Sequence, residues 1–211
     1  MVVPAEFVGR ARQLRDAVGA EDQAAGEMIQ SFSDAAMARW HRSRIPRVDT
    51  LVGIARAWRD DVPQRGRLLL ETDFNKRKKS LTVREMRLSS SVYQPHDWDV
   101  AERGLILGLM VLQVQPFLCR LDVHTLAHVG LHALGRRFQR GLDGSAQAVM
   151  EDLKLLGQAH PRLCGLGDGA AFTLPVMNGG NWLGAVEAVV DKRIGADLAL
   201  SVRTFIPNDG M

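Results

Sequence analysis

The chain is poor in cysteine, in aromatic residues and in lysine. Of its 211 residues two are Cys, one is Tyr, and 6% are aromatic. Cys119 and Cys164 lie in an apolar run and a turn-like stretch without metal-ligand spacing around either, which excludes a disulfide framework and points to a reducing compartment. No apolar run is long. The longest, residues 105–114, falls well short of the roughly 20 residues that cross a bilayer, and the opening MVVPAEFVGRARQL lacks the apolar centre of a signal peptide. We expect a soluble, cytoplasmic protein with no membrane partner. Charge of one sign is also scarce, with a formal net charge of +3 from 27 basic and 24 acidic residues. Only five of the basic residues are Lys. The arginine excess favours bidentate contacts with carboxylate or phosphate, although a GC-rich coding bias produces the same composition.

What is present suits one domain. A chain of this length buries a core without staples. Its pattern reads as α+β, with a mostly antiparallel sheet, an N-terminal helical layer and a central two-helix unit. The helical region covers residues 8–60 and the sheet with its helix pair covers residues 66–207.

Residues 8–18 and 21–42 predict helices, with Ala25, Met28, Ile29, Phe32, Ala36 and Trp40 recurring at three- and four-residue spacings. Pro46 stops this pattern beside Arg42, Arg44 and Arg47, a first basic cluster. Thr50 reads as the cap of a short helix that closes before Pro63. RLLLETDF (67–74) and LTVREMRLSSSVY (81–93) then read as a β-hairpin whose tip carries Lys76, Arg77, Lys78 and Lys79, a second cluster that suits a phosphate backbone or simply a solvated turn. Asp73, Glu85 and Arg87 compare weakly with the paired acids and nearby basic residue of some metal-dependent nucleases, because the usual acid-x-Lys element is missing. A connector holding Tyr93, His96, Asp97 and Trp98 leads to an apolar stretch, residues 105–115, read as a covered strand.

Residues 121–140, LDVHTLAHVGLHALGRRFQR, predict the helix around which the chemistry gathers. Val123, Ala127, Leu131, Leu134 and Phe138 form its core stripe, while His124, His128 and His132 recur every four residues on another side. Adjacent i,i+4 imidazoles can share a metal, but a third one turn farther is too distant and no acid sits between them, so no metal site is assigned. Gly135 invites the close approach of another segment or a ligand. Arg136, Arg137 and Arg140 form a third basic cluster, and His132 with Arg136 is the favoured working pair. A second helix from Ser145 to about His160 completes the pair.

Further on, AAFTLPVM, an Asn-Gly turn at Asn178, and the stretches 181–191 and 196–207 predict three antiparallel strands. Alternation puts Glu187 among small apolar residues, where burial requires a basic partner, with Arg203 on the next strand as the nearest. If Glu187 instead opens toward the histidine helix, Asn178, Asn181 and Trp182 are expected to line the mouth beside it. Three functions follow. First is nucleic-acid association, DNA or RNA, through the three Arg/Lys clusters. The alternatives are a His-assisted hydrolase or phosphoester-cleaving enzyme using His128, His132, Arg136 and Glu187, and a non-catalytic protein-interaction subunit. No cofactor is identified by any motif.

Overall fold

The computed structural model describes residues 3–43, 45–93, 102–177, 179–191 and 195–208. Helices α1 (Ala5–Ser43) and α2 (Val48–Asp61) precede strands β1 (Arg67–Asn75), β2 (Ser80–Tyr93), β3 (Glu102–Gln115) and β4 (Leu118–Gly130). Helices α3 (Leu131–Arg140) and α4 (Ala146–Cys164) follow, then strands β5 (Ala171–Val176), β6 (Gly180–Asp191) and β7 (Gly195–Pro207). The seven strands form one sheet in the order β1-β2-β3-β4-β7-β6-β5, and only the β4–β7 pairing is parallel. The α+β class with a mostly antiparallel sheet is therefore what the chain adopts.

The sheet has two faces, set by strand alternation. Met86, Leu88, Leu105, Leu107, Ala127, Val129, Val186, Leu200 and Val202 share the first, where they pack with Ala11, Leu14 and Val18 of α1, with α3, and with Val149, Leu153 and Leu156 of α4. The second face is covered at the β1–β3 end. There Leu81, Val83, Leu112 and Val114 bury against Leu51, Ile54 and Trp58 of α2 and against Ala25, Ile29 and Ala36 of α1. One long helix thus serves both faces, which the right-handed twist of the long β2–β3 ribbon permits by turning its faces along α1. At the other end, Ala171, Thr173 and Pro175 of β5 stay exposed on the second face while Phe172, Leu174 and Val176 are buried on the first.

Several local expectations change. The two N-terminal helices are one, uninterrupted at Gly19, where an added Cβ would stand 2.9 Å from Ser90 Oγ. Helix α2 begins at Val48, two residues before Thr50, with Arg47 at its cap position and no side-chain cap. Helix α4 is capped by Ser145, whose hydroxyl accepts from Ala148 N–H at 3.1 Å, and it runs past Pro161 to Cys164.

The largest correction concerns residues 121–140. They are not one helix: residues 118–130 form β4, and only residues 131–140 are helical. A four-residue spacing is a multiple of the strand period of two, so the stripes Val123, Ala127 and His124, His128 fit either structure. The apolar run of β3 decides the outcome by needing a partner strand, and Val123, Thr125 and Val129 supply β-branched residues for it. A register shift sits opposite Leu107 and Gly108, which pair with Ala127 and Thr125 and leave Leu126 as the extra residue. That bulge separates the histidines. His124 pairs with Leu109 and His128 with Ile106, three residues apart on β3, so they lie on opposite faces.

Candidate functional site

The four residues proposed for catalysis fall into two pairs. His128 and Glu187 lie on the second face of the sheet. The register carries His128 to Ser201 on β7, Ser201 to Ala185 on β6, and Ala185 to Ala171 on β5, with Glu187 two residues along β6 on the same side. Glu187 is buried, and its Oε1 accepts from Arg203 Nη2 at 2.9 Å. Arg203 reaches it from a β7 bulge, since Leu183 pairs with Thr204 and Gly184 with Val202. Burial pushes the His128 imidazole down from 6.5 to about 4, and the Glu187 charge opposes that shift. The ring is therefore neutral near pH 7. Glu187, Arg203 and Asp168 line a cavity of about 610 Å³ whose floor is made of small residues, Ala171, Gly184, Ala185 and Ala188. Asp168 is held there by accepting the Ala188 N–H at 3.0 Å.

His132 and Arg136 sit instead on α3. His132 is exposed, and its pKa is lowered by partial burial first and then by the Arg136 and Arg140 charges. Arg136 is buried and donates to Gln139 Oε1 at 3.3 Å. The close approach that Gly135 invites is made by the protein itself, because an added Cβ would lie 3.1 Å from Val3 Cγ1 and 3.7 Å from the Phe7 backbone. Gly135 therefore accommodates the start of α1. Arg137 is fully buried, paired with Asp152 of α4 and donating to Asp143 O at 2.7 Å, with its guanidinium 5.4 Å from the Phe205 ring centre. A guanidinium so enclosed offers nothing to a phosphate outside. The third basic cluster is thus dismantled by packing, with Arg140 as its half-buried remainder.

The other two clusters have a different fate. Arg67 donates to the carbonyls of Trp58, Arg59 and Val62, so the start of β1 lies beside the end of α2. Val52 and Phe74 line one groove, so α2 runs antiparallel to β1 and its first turn lies toward the β1–β2 tip. Arg47 and the tip residues Lys76, Arg77, Lys78 and Lys79 are consequently at the same end of the molecule, and all are exposed. Arg44 and Asn178 lie outside the described residues, as do His96, Asp97 and Trp98, and the Arg42 side chain is likewise not described. Every residue from 71 to 79 is exposed, so the outer half of β1 and its turn form a solvent-facing arm, while Leu81 and Val83 opposite them on β2 are buried. Residues 47–87 hold eleven basic and six acidic residues, so the positive balance of the whole chain is concentrated in this stretch.

The arm is anchored by a network that no motif revealed. Glu85 is fully buried on β2 and accepts from Trp58 Nε1 and Arg87 Nε, both at 2.6 Å, with Arg67 Nη2 at 3.3 Å. Arg87 also donates to Arg65 O at 3.0 Å and to Pro63 O. Both guanidiniums thus satisfy carbonyls at or just after the end of α2, where the helix dipole favours positive charge. Glu85 is committed to this network. Asp73, which pairs with Thr82, projects from the opposite face, so the acids that suggested a nuclease cannot converge on one ion. Among the described residues no group of three or more His, Cys, Asp or Glu is arranged for a metal, and no helix is long and apolar enough to cross a membrane.

No protein-family model matches the chain, and neither a curated protein nor a solved structure does. Function must be argued from the geometry above.

Proposed function

We propose that the chain associates with nucleic acid through the end formed by α2 and the β1–β2 arm. The observation that carries this reading is the convergence of Arg47 with the four-residue cationic turn that ends an exposed edge strand. Phosphate contacts need exposed cations with freedom to approach a backbone, and a surface arm supplies both. Arg136 and Arg137 have no part in it, since both are buried.

The test is salt-dependent binding of the full chain to labelled single- and double-stranded DNA and RNA, read by fluorescence anisotropy. About four phosphate contacts to a single strand give a slope near −3 in log K against log salt. Replacing Lys76, Arg77, Lys78 and Lys79 together by Ser should flatten the slope and weaken binding at low salt by at least tenfold. Binding that ignores salt, or is unchanged in that variant, overturns the proposal.

A second reading, a His-assisted hydrolase, is favoured by Glu187 lining a cavity of about 610 Å³ while its charge acts on His128. His132 and Arg136 have no part in it. Glu187 is the group that reaches substrate in this reading, with His128 behind it. Turnover of chromogenic esters and phosphoesters that survives Glu187→Gln would remove the reading.

A further inference from the structure

We propose that the groove between α2 and the edge strand β1 takes an unpaired nucleic-acid strand, with a base laid against Phe74; this deepens, and rests on, the nucleic-acid reading. The groove encloses about 300 Å³, at the lower end of small-ligand pockets. Its apolar surface comes from Val52, Leu70 and Phe74, and Arg56 and Arg59 of α2 stand along one side. Val52 and Phe74 are 39% and 36% exposed, an apolar pair open to solvent in the most basic part of the molecule. Arg56 is exposed, and Arg59 shares its charge with Asp60 through a 2.8 Å hydrogen bond.

Strand alternation sorts β1 in a way that suits this occupant. Leu70, Thr72 and Phe74 face the groove, whereas Glu71 and Asp73, which would repel phosphate, project to the other side. Among the described residues β1 is an edge strand with β2 as its neighbour, so its outer edge presents backbone N–H and C=O groups within the exposed stretch. Such groups can hydrogen-bond the edge of a base that has left its pair. A duplex keeps its base faces stacked and offers Phe74 nothing, while a single strand offers a π-face to an aromatic and a phosphate to Arg56 or the arm. Charge and an exposed aromatic therefore point to the same ligand.

The experiment compares a 20-nucleotide single strand, its duplex and an abasic strand of equal length, each titrated against the full chain and against Phe74→Ala. The single strand should bind at least tenfold more tightly than the duplex. Phe74→Ala should weaken single-strand binding roughly tenfold, as loss of one base–aromatic stack does, while leaving the salt slope unchanged. The abasic strand should bind more weakly to the wild-type chain, a readout that does not depend on how well the variant folds, and its binding should be insensitive to the substitution. Equal binding of duplex and single strand, or an abasic strand bound as tightly as the intact one, overturns the groove assignment and leaves the cationic arm standing. Loss of all salt-sensitive binding in the wild-type chain overturns both.

Discussion

Glu85 and Glu187 lie on the same face of the sheet, near its two ends, and each accepts hydrogen bonds from arginine. Their surroundings differ. Glu85 is 0% exposed, with an indole and two guanidiniums around it, and α2 closes over it. Glu187 accepts from Arg203 at 2.9 Å, the Arg203 side chain is 36% exposed, and the Glu187 carboxylate borders a cavity. Buried charge is tolerated only when its hydrogen-bonding capacity is met, so the first cluster is a structural joint. The second retains contact with solvent and with whatever occupies the cavity. The same pair of residue types thus fastens a helix at one end of the sheet and leaves a chemically accessible group at the other.

The contrast is broken most directly at Glu85. Glu85→Ala strands Arg67 and Arg87 in the interior and leaves Trp58 Nε1 without its acceptor, and should lower unfolding free energy by about 3–5 kcal/mol. Chemical denaturation measures it. A loss below about 1 kcal/mol would mean that the network does not hold α2 to the sheet.

The next effect is on pH dependence. His128 has its pKa lowered from 6.5 to about 4, so the unfolded chain binds a proton below pH 6.5 that the native chain refuses until about pH 4. Stability from this group is therefore full above pH 6.5 and is lost as pH falls toward 4, by roughly 3 kcal/mol in all. Carboxylates add their own acid sensitivity in part of that window. The relevant quantity is the difference between wild type and His128→Asn, which should grow less unfavourable to the variant as pH drops. A difference that does not change between pH 7 and pH 4.5 contradicts a neutral, buried imidazole.

These two clusters were unequally legible in the sequence. Glu187 and Arg203 lie on consecutive strands whose alternation is plain, so their pairing could be anticipated from period two alone. Of Glu85's donors only Arg87, two residues along the same strand, could be read that way, because Trp58 lies on a helix and Arg67 on the neighbouring strand, and only folding brings them together. The strands themselves were visible where apolar alternation or β-branched runs met turn residues, as at 81–93 and 181–191. β4 was hidden by the shared multiple of four and by a bulge at Leu126, and Arg137 by an acid fifteen residues away on another helix. The exposure of the cationic residues at 76–79 was readable because a hairpin turn has little to pack against.

The smallest effect gives the sharpest comparison. Glu187→Gln, Arg203→Gln and the double variant form a cycle whose coupling energy should be at most about 1 kcal/mol, since Arg203 is more than a third exposed and solvent screens the pair. Raising salt should shrink that coupling further, whereas the cost of Glu85→Ala should hardly respond, because ions do not reach a closed interior. A coupling above about 3 kcal/mol, insensitive to salt, would make Glu187 a second structural joint and withdraw the cavity beside it as a place for chemistry. A small, salt-sensitive coupling instead leaves Glu187 able to exchange Arg203 for a ligand at little cost to the fold, which is the property a binding group on an open sheet face requires.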